Sequence, residues 1–124
     1  MRRYRVAGTK FERESAIEDR VSKWAVPRGW LSRKMNGLAY RSWPDRLFVL
    51  DAKRQAYIEF KRLEETPTEQ QWEMIRTLRE RGINAEYFDN SDDAIQYLLE
   101  VEAGRVPAPR HPLPPRKKPR RALP

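Results

Sequence analysis

The residues best suited to chemistry stand in two short stretches, Trp43-Pro44-Asp45 and Tyr57-Ile58-Glu59-Phe60-Lys61. On a strand, successive side chains take opposite faces, so Glu59 and Lys61 point one way and Ile58 and Phe60 the other. Asp51 to Gln55 is long enough for a turn. Asp45 then opens one strand, and Glu59 and Lys61 lie on its antiparallel neighbour. Carboxylates that converge repel unless a cation joins them. Mg²⁺ takes a few oxygen ligands and keeps several waters, and Mn²⁺ is expected to substitute. Asp45, Glu59 and the backbone carbonyl of Ile58 are the candidate ligands. Lys61 beside them can position or deprotonate a water for attack on phosphate. The chemistry this predicts is metal-assisted hydrolysis of a phosphodiester.

The rest of the chain must position these groups. A helix is expected over about 11–26, stopped by Pro27 with Gly29 beyond. Ile17, Val21, Trp24 and Ala25 make its apolar stripe. Glu14 falls inside that arc and Glu18 at its edge, either as first-turn acids favoured by the helix dipole or as members of a site. A strand over 30–35 ends near Lys34, which read alone is a solvated strand lysine. In the loop 36–43, Tyr40 and Trp43 can stack on bases or a sugar and Arg41 can meet a phosphate, although Trp43 can equally pack beneath the site. Arg46 to Leu50 is a nearly continuous apolar run, as suits a central strand, with Arg46 at its start as a further nucleic-acid contact. A third strand covers 55–62. Thr66-Pro67-Thr68-Glu69 reads as a capping box with proline at the first helical position. The helix it opens runs to about Arg81 and ends at Gly82. Its stripe is Trp72, Ile75 and Leu78, and Gln71 falls within it, so this amide needs partners, as a satisfied core amide has. A strand over 83–88 and a helix from Ser91, with Ile95, Leu98 and Leu99 inward, complete the body.

Composition sets the limits. A chain of 124 residues with 39 % apolar and 35 % charged residues is one domain with a modest core. It has no cysteine, which excludes disulfides, thiolate zinc sites and cysteine nucleophiles. The one histidine, His111, lies among prolines. No apolar run is long enough for a membrane span. The start, Met-Arg-Arg-Tyr-Arg, lacks the apolar stretch of a signal peptide, and the cytoplasm is the expected location. Of the net charge of +8, seven belong to Arg105, Arg110, Arg116, Lys117, Lys118, Arg120 and Arg121, beyond Gly104 where no acid occurs. The division expected is a basic arm over 1–10, a folded domain over 11–103 and a Pro-rich, basic, disordered tail over 104–124. Arg116, Lys117 and Lys118 are its candidate phosphate contacts, and Pro112-Leu113-Pro114-Pro115-Arg116 could dock a protein partner.

The two opening stretches resemble the PD-(D/E)xK nuclease signature. The wider set resembles the VRR-NUC domain (virus-type replication-repair nuclease) in its small, phage-like form. The pieces that match are Glu14-Ser15-Ala16-Ile17-Glu18, Gly29, Lys34, Pro44-Asp45-Arg46-Leu47, Ile58-Glu59-Phe60-Lys61, Gln71 and Leu78-Arg79-Glu80-Arg81-Gly82, in the family's order. Ser42 stands where the family usually has glycine. The resemblance implies an α/β restriction-endonuclease-like αβββαβ core, with a mixed four-stranded sheet flanked by helices and here a further C-terminal helix. It implies a catalytic glutamate on the first helix that completes the metal shell directly or through water, Glu18 with Glu14 as the competing choice, a phosphate contact at Lys34 and an active-site role for Gln71. It also implies a Mg²⁺-dependent DNA endonuclease in replication, repair or recombination, with branched or nicked DNA such as Holliday junctions among its targets. Junction cutting would want a homodimer. The alternative is a nucleic-acid-binding module without catalysis, with a protein-docking tail.

Overall fold

Arg13, in extended backbone, hands the chain into helix α1 (Glu14–Ala25), with Glu14 in its first turn and Lys23 in its last, both complementing the helix dipole. The computed structural model describes residues 13–35 and 42–116. Pro27 ends α1 in a single 3₁₀ turn, Val26–Arg28, and Gly29 closes it at φ 98°, where a side chain would be strained. Strands β1 (Leu31–Lys34), β2 (Arg46–Val49) and β3 (Gln55–Phe60) follow as an antiparallel meander. Helix α2 (Glu69–Glu80) carries the chain over to β4 (Ala85–Phe88), which lies parallel to β3. Helix α3 (Ser91–Glu102) is capped by the Asn90 side chain, which accepts from Asp93 N. The sheet order is β1-β2-β3-β4. This is the mixed four-stranded α/β architecture that the sequence predicts, with the C-terminal helix in place. Among the described residues, no helix is long and apolar enough to cross a membrane.

Register sorts the side chains. Phe48, Ala56, Ile58, Phe60 and Phe88 share one face and pack with Ile17, Val21 and Ala25 of α1 and Ala94, Leu98 and Val101 of α3. Tyr57, Ala85 and Tyr87 take the other face and pack under Ile75 and Leu78 of α2. Glu59 and Lys61 therefore point toward α2, as strand alternation requires.

The helix start differs from its expectation. The N-cap of α2 is Thr68, not Thr66, and the capping box pairs Thr68 with Gln71. Pro67 thus precedes the cap. Thr68 wins because its partner three residues on is an amide that can return a bond to the backbone.

The segment beyond Gly104 also departs from the free tail expected. Its prolines do bar helix and strand, yet 107–116 lies along the body. Pro107 is buried, the His111 ring stacks on Tyr87 with centroids 3.9 Å apart, and Leu113 joins the cluster under α2. Arg76 and Arg79 of α2 donate to the carbonyls of Pro114 and His111, and Arg116 pairs with Glu73 at 2.9 Å. Proline excludes regular structure, not side-chain packing or use of its carbonyl. Lys117 and Lys118 lie outside the described residues, as do the whole arm over 1–10 and the loop residues Tyr40 and Arg41.

Candidate active site

Asp45 precedes β2 on the edge of the antiparallel hairpin, and Glu59 sits near the end of β3. The β2–β3 ladder ends at Arg46 opposite Ile58. Phe60 lies past that end, and its backbone N–H donates to Asp45 Oδ2 at 2.7 Å. That bond draws Asp45 across to β3 and into reach of Glu59. Ile58, offered above for its carbonyl, is inside the ladder with its side chain in the core.

Glu59 is 2 % exposed, yet its Oε1 has no hydrogen-bond partner. Its Oε2 accepts from Gln71 Nε2 at 3.0 Å, and Lys61 Nζ stands 3.6 Å away. Gln71 is held from behind, because its Oε1 accepts from Thr68 N at 2.9 Å and its own N–H donates to Thr68 Oγ1. An amide whose oxygen caps the helix must present its NH₂ to the carboxylate. The amide in the apolar stripe is thus satisfied and faces the site at once.

Burial is the main force on both acids. It pushes Glu59 up to about 8, helped by the charge of Asp45 and opposed by Lys61. Asp45 is raised by burial as well, with the charges of Glu18 and Glu14 adding to it and the Phe60 N–H and Lys34 opposing. Two buried carboxylates that disfavour each other's charge, one with an orphaned oxygen, form a donor set suited to a hard cation. Among the described residues, no three carboxylates or imidazoles converge on one point as they stand. The fit therefore rests on Asp45 and Glu59, with backbone oxygens and water to complete a shell.

The acids of α1 divide. Glu18 is buried on the α1 side of the sheet, where Arg46 Nε donates to it at 2.8 Å and Lys34 Nζ at 3.2 Å. Register places Lys34 opposite Arg46 and Arg46 opposite Ile58, all on that face. Glu18 thus neutralises two cations. Glu14 carries the charge that acts on both Asp45 and Glu59.

The proposed nucleic-acid contacts fare unevenly. Arg46 is committed inward, to Glu18 and to Ser32 Oγ at 3.1 Å. The Lys34 side chain is more than half exposed beside Glu18. Trp43 is half-buried and packs on Tyr57, with ring centroids 5.5 Å apart. Arg116 is paired with acids of α2. Two participants were not singled out from sequence. Thr68 orients Gln71, and the spacing Thr-x-x-Gln was its legible signal. Ser32 bridges Ser22 and Arg46 across the sheet and α1, and nothing in its surroundings in sequence marks it.

No family model and no curated protein matches this chain. A solved structure described as a VRR_NUC domain does match in three dimensions, with a TM-score of 0.63 and 20 % identity over 69 % of this chain and 94 % of that one. At that identity the likeness is one of fold.

Proposed function

We propose that this chain, with the fold of a VRR_NUC domain, is a metal-dependent nuclease that hydrolyses DNA phosphodiester bonds as an endonuclease. The observation that carries the reading is Glu59: buried, raised to about 8, with Oε1 unpartnered, beside Asp45 and Lys61. A purely structural carboxylate so buried would have its oxygens satisfied. Asp45 and Glu59 would hold Mg²⁺ or Mn²⁺, which when bound supplies charge for the phosphate and an acidified water. Glu14, whose charge already reaches both acids, would serve that ion through water, and a backbone oxygen of β3, Ile58 in the sequence reading, would complete the set.

Each remaining group has a role of its own. Phe60 N–H holds one oxygen of Asp45 and so fixes its orientation. Gln71 does the same for Glu59. Lys61, only 11 % exposed, keeps a positive charge where the phosphate gains negative charge, and its N–H groups orient the attacking water. Lys34, at the end of β1, is placed to meet an adjacent phosphate.

A plasmid-nicking assay with Mg²⁺ and with chelator tests the reading. Cutting by the parent and none by Asp45→Asn, Glu59→Gln or Lys61→Ala is expected, with all variants folded. Full activity in Asp45→Asn would refute it. A panel of single strand, duplex, flap and four-way junction then identifies the preferred DNA structure.

A further inference from the structure

Tyr87 stands beside Glu59. The two are register partners on the parallel strands β4 and β3, and both side chains face α2. Neighbouring strands lie about 4.8 Å apart, so Tyr87 flanks the Glu59 carboxylate directly. Two further rings fix Tyr87. Trp72 of α2 meets it edge-on, with centroids 5.5 Å apart and planes at 85°. Trp72 follows Gln71, the residue that donates to Glu59 Oε2. The His111 ring stacks on Tyr87 at 3.9 Å, with planes 26° apart. His111 is itself held. Its carbonyl accepts from Arg79 Nη1 at 3.0 Å, and its Nδ1 lies 3.2 Å from Oε1 of Glu86, which is fully buried. Leu113 joins Trp72 and Tyr87 in one apolar cluster, and Arg116 pairs with Glu73 of α2 at 2.9 Å. Residues 107–116 thus grip α2 and Tyr87 together. They reach α3 only through Gly104, Arg105 and Val106, which are exposed.

We infer, on the reading of the site as a nuclease centre, that His111 is a positioning residue: its ring, laid on Tyr87, fixes the Tyr87–Trp72 pair and through it the Gln71 amide that orients Glu59. Aromatic pairs prefer stacked and edge-to-face arrangements, and Tyr87 has one partner of each kind, which leaves its ring little freedom. Thr68 holds Gln71 within α2 but does nothing to hold α2 on the sheet. That second task falls to the apolar cluster, and His111 and Leu113 close the cluster from outside α2. Without the imidazole, Tyr87 can turn, Trp72 follows it, and the first turns of α2 shift against β3. Gln71 then holds Glu59 Oε2 less well. A poorly aimed carboxylate slows the chemical step more than it weakens the binding of DNA, which other groups supply.

His111→Ala and His111→Phe, each in the full chain, are compared with the parent. Heteronuclear NMR of the metal-free proteins follows the side-chain amide of Gln71, and nicking of DNA with Mg²⁺ gives kcat and KM. In His111→Ala the Gln71 amide signals are expected to move toward those of a free glutamine, and kcat to fall about tenfold with KM unchanged. His111→Phe keeps a ring that can stack and is expected to restore both. Val101→Ala, in the core layer on the opposite face of the sheet, is the control for lost stability and is expected to keep the parent's kcat wherever both are folded. Unmoved Gln71 signals in a folded His111→Ala overturn the inference. So does a His111→Phe that behaves like His111→Ala, or a Val101→Ala that loses as much kcat. A parent that cuts no DNA refutes the nuclease reading alone, and the Gln71 signals then still decide the role of His111. Should His111→Ala lose its fold by circular dichroism, Leu113→Ala thins the same cover and is measured in its place, with the same outcomes.

Discussion

Glu59 ties the stability of the domain to pH. Its carboxyl is raised from 4.5 to about 8 in the folded chain. Between those values the folded state holds a proton that the unfolded state has lost, so stability falls as pH rises from about 5 to 8. Each unit of such a shift corresponds to about 1.4 kcal/mol. Melting temperatures in chelator should therefore decline across this window in the parent. They should decline much less in Glu59→Gln, which lacks the titrating group and should match or exceed the parent at pH 8. A decline of equal size in both proteins would move the effect to another group. The companion Asp45→Asn should likewise be at least as stable as the parent without metal, because burial and neighbouring acids already disfavour its charge. Thr68 offers a finer probe. Thr68→Ala removes the oxygen that accepts from Gln71 N and should cost about 1 kcal/mol, the usual worth of an N-cap. It should also slow cutting while leaving metal binding nearly intact, since Gln71 loses part of its support but Asp45 and Glu59 remain. Calorimetric metal titration beside the nicking assay separates the two effects.

At the scale of elements, α1 is held to the sheet through Glu18 as well as through its apolar stripe. Glu18→Gln would leave Arg46 and Lys34 without their shared carboxylate. Because Arg46 is largely buried there, the expected loss is about 2 kcal/mol, in the range of hydrogen bonds to charged groups. Urea denaturation measures it, and no change would mean that Ser32 alone suffices for Arg46. This assignment shows how far sequence reaches. Every helix and strand was legible, since periodicity and the breakers Pro27, Gly29 and Gly82 mark them. The face of Glu59 and Lys61 was legible too, because alternation is a local property. The partners of Glu18 were not, for they depend on register across β1 and β2. Trp43 presents the same difficulty: its contact with Tyr57 depends on how the loop returns to the sheet. Composition misled most at 107–116, where the partners Tyr87, Arg79 and Glu86 are distant in sequence and no local pattern announces them.

For the whole molecule, the expected signature of the site is stabilisation by a divalent cation. Mg²⁺ or Mn²⁺ should raise the melting temperature of the parent and hardly that of the double Asp45→Asn, Glu59→Gln variant, because binding to the folded state alone stabilises it by mass action. Equal shifts would place the ion elsewhere. The basic residues divide as well. Arg110 and Arg116 are paired with acids of the body, whereas Lys117, Lys118, Arg120 and Arg121 follow the packed segment in sequence. A chain ending at Arg116 should keep its fold and its chemistry. Its log affinity for DNA against log salt should flatten by about 2 if half of the four removed charges meet phosphate. An unchanged slope would confine DNA contact to the folded body. A last consequence concerns heredity. Glu59 reaches Asp45 only because of its parity on β3, with Phe60 pointing into the core behind it. Loss of one codon ahead of Glu59 within that strand would exchange them, sending a carboxylate into the apolar layer and a phenyl ring toward Asp45. Length changes in β3 can therefore pass through selection only in pairs, while the turn at Asp51–Arg54, away from the site, is open to single steps.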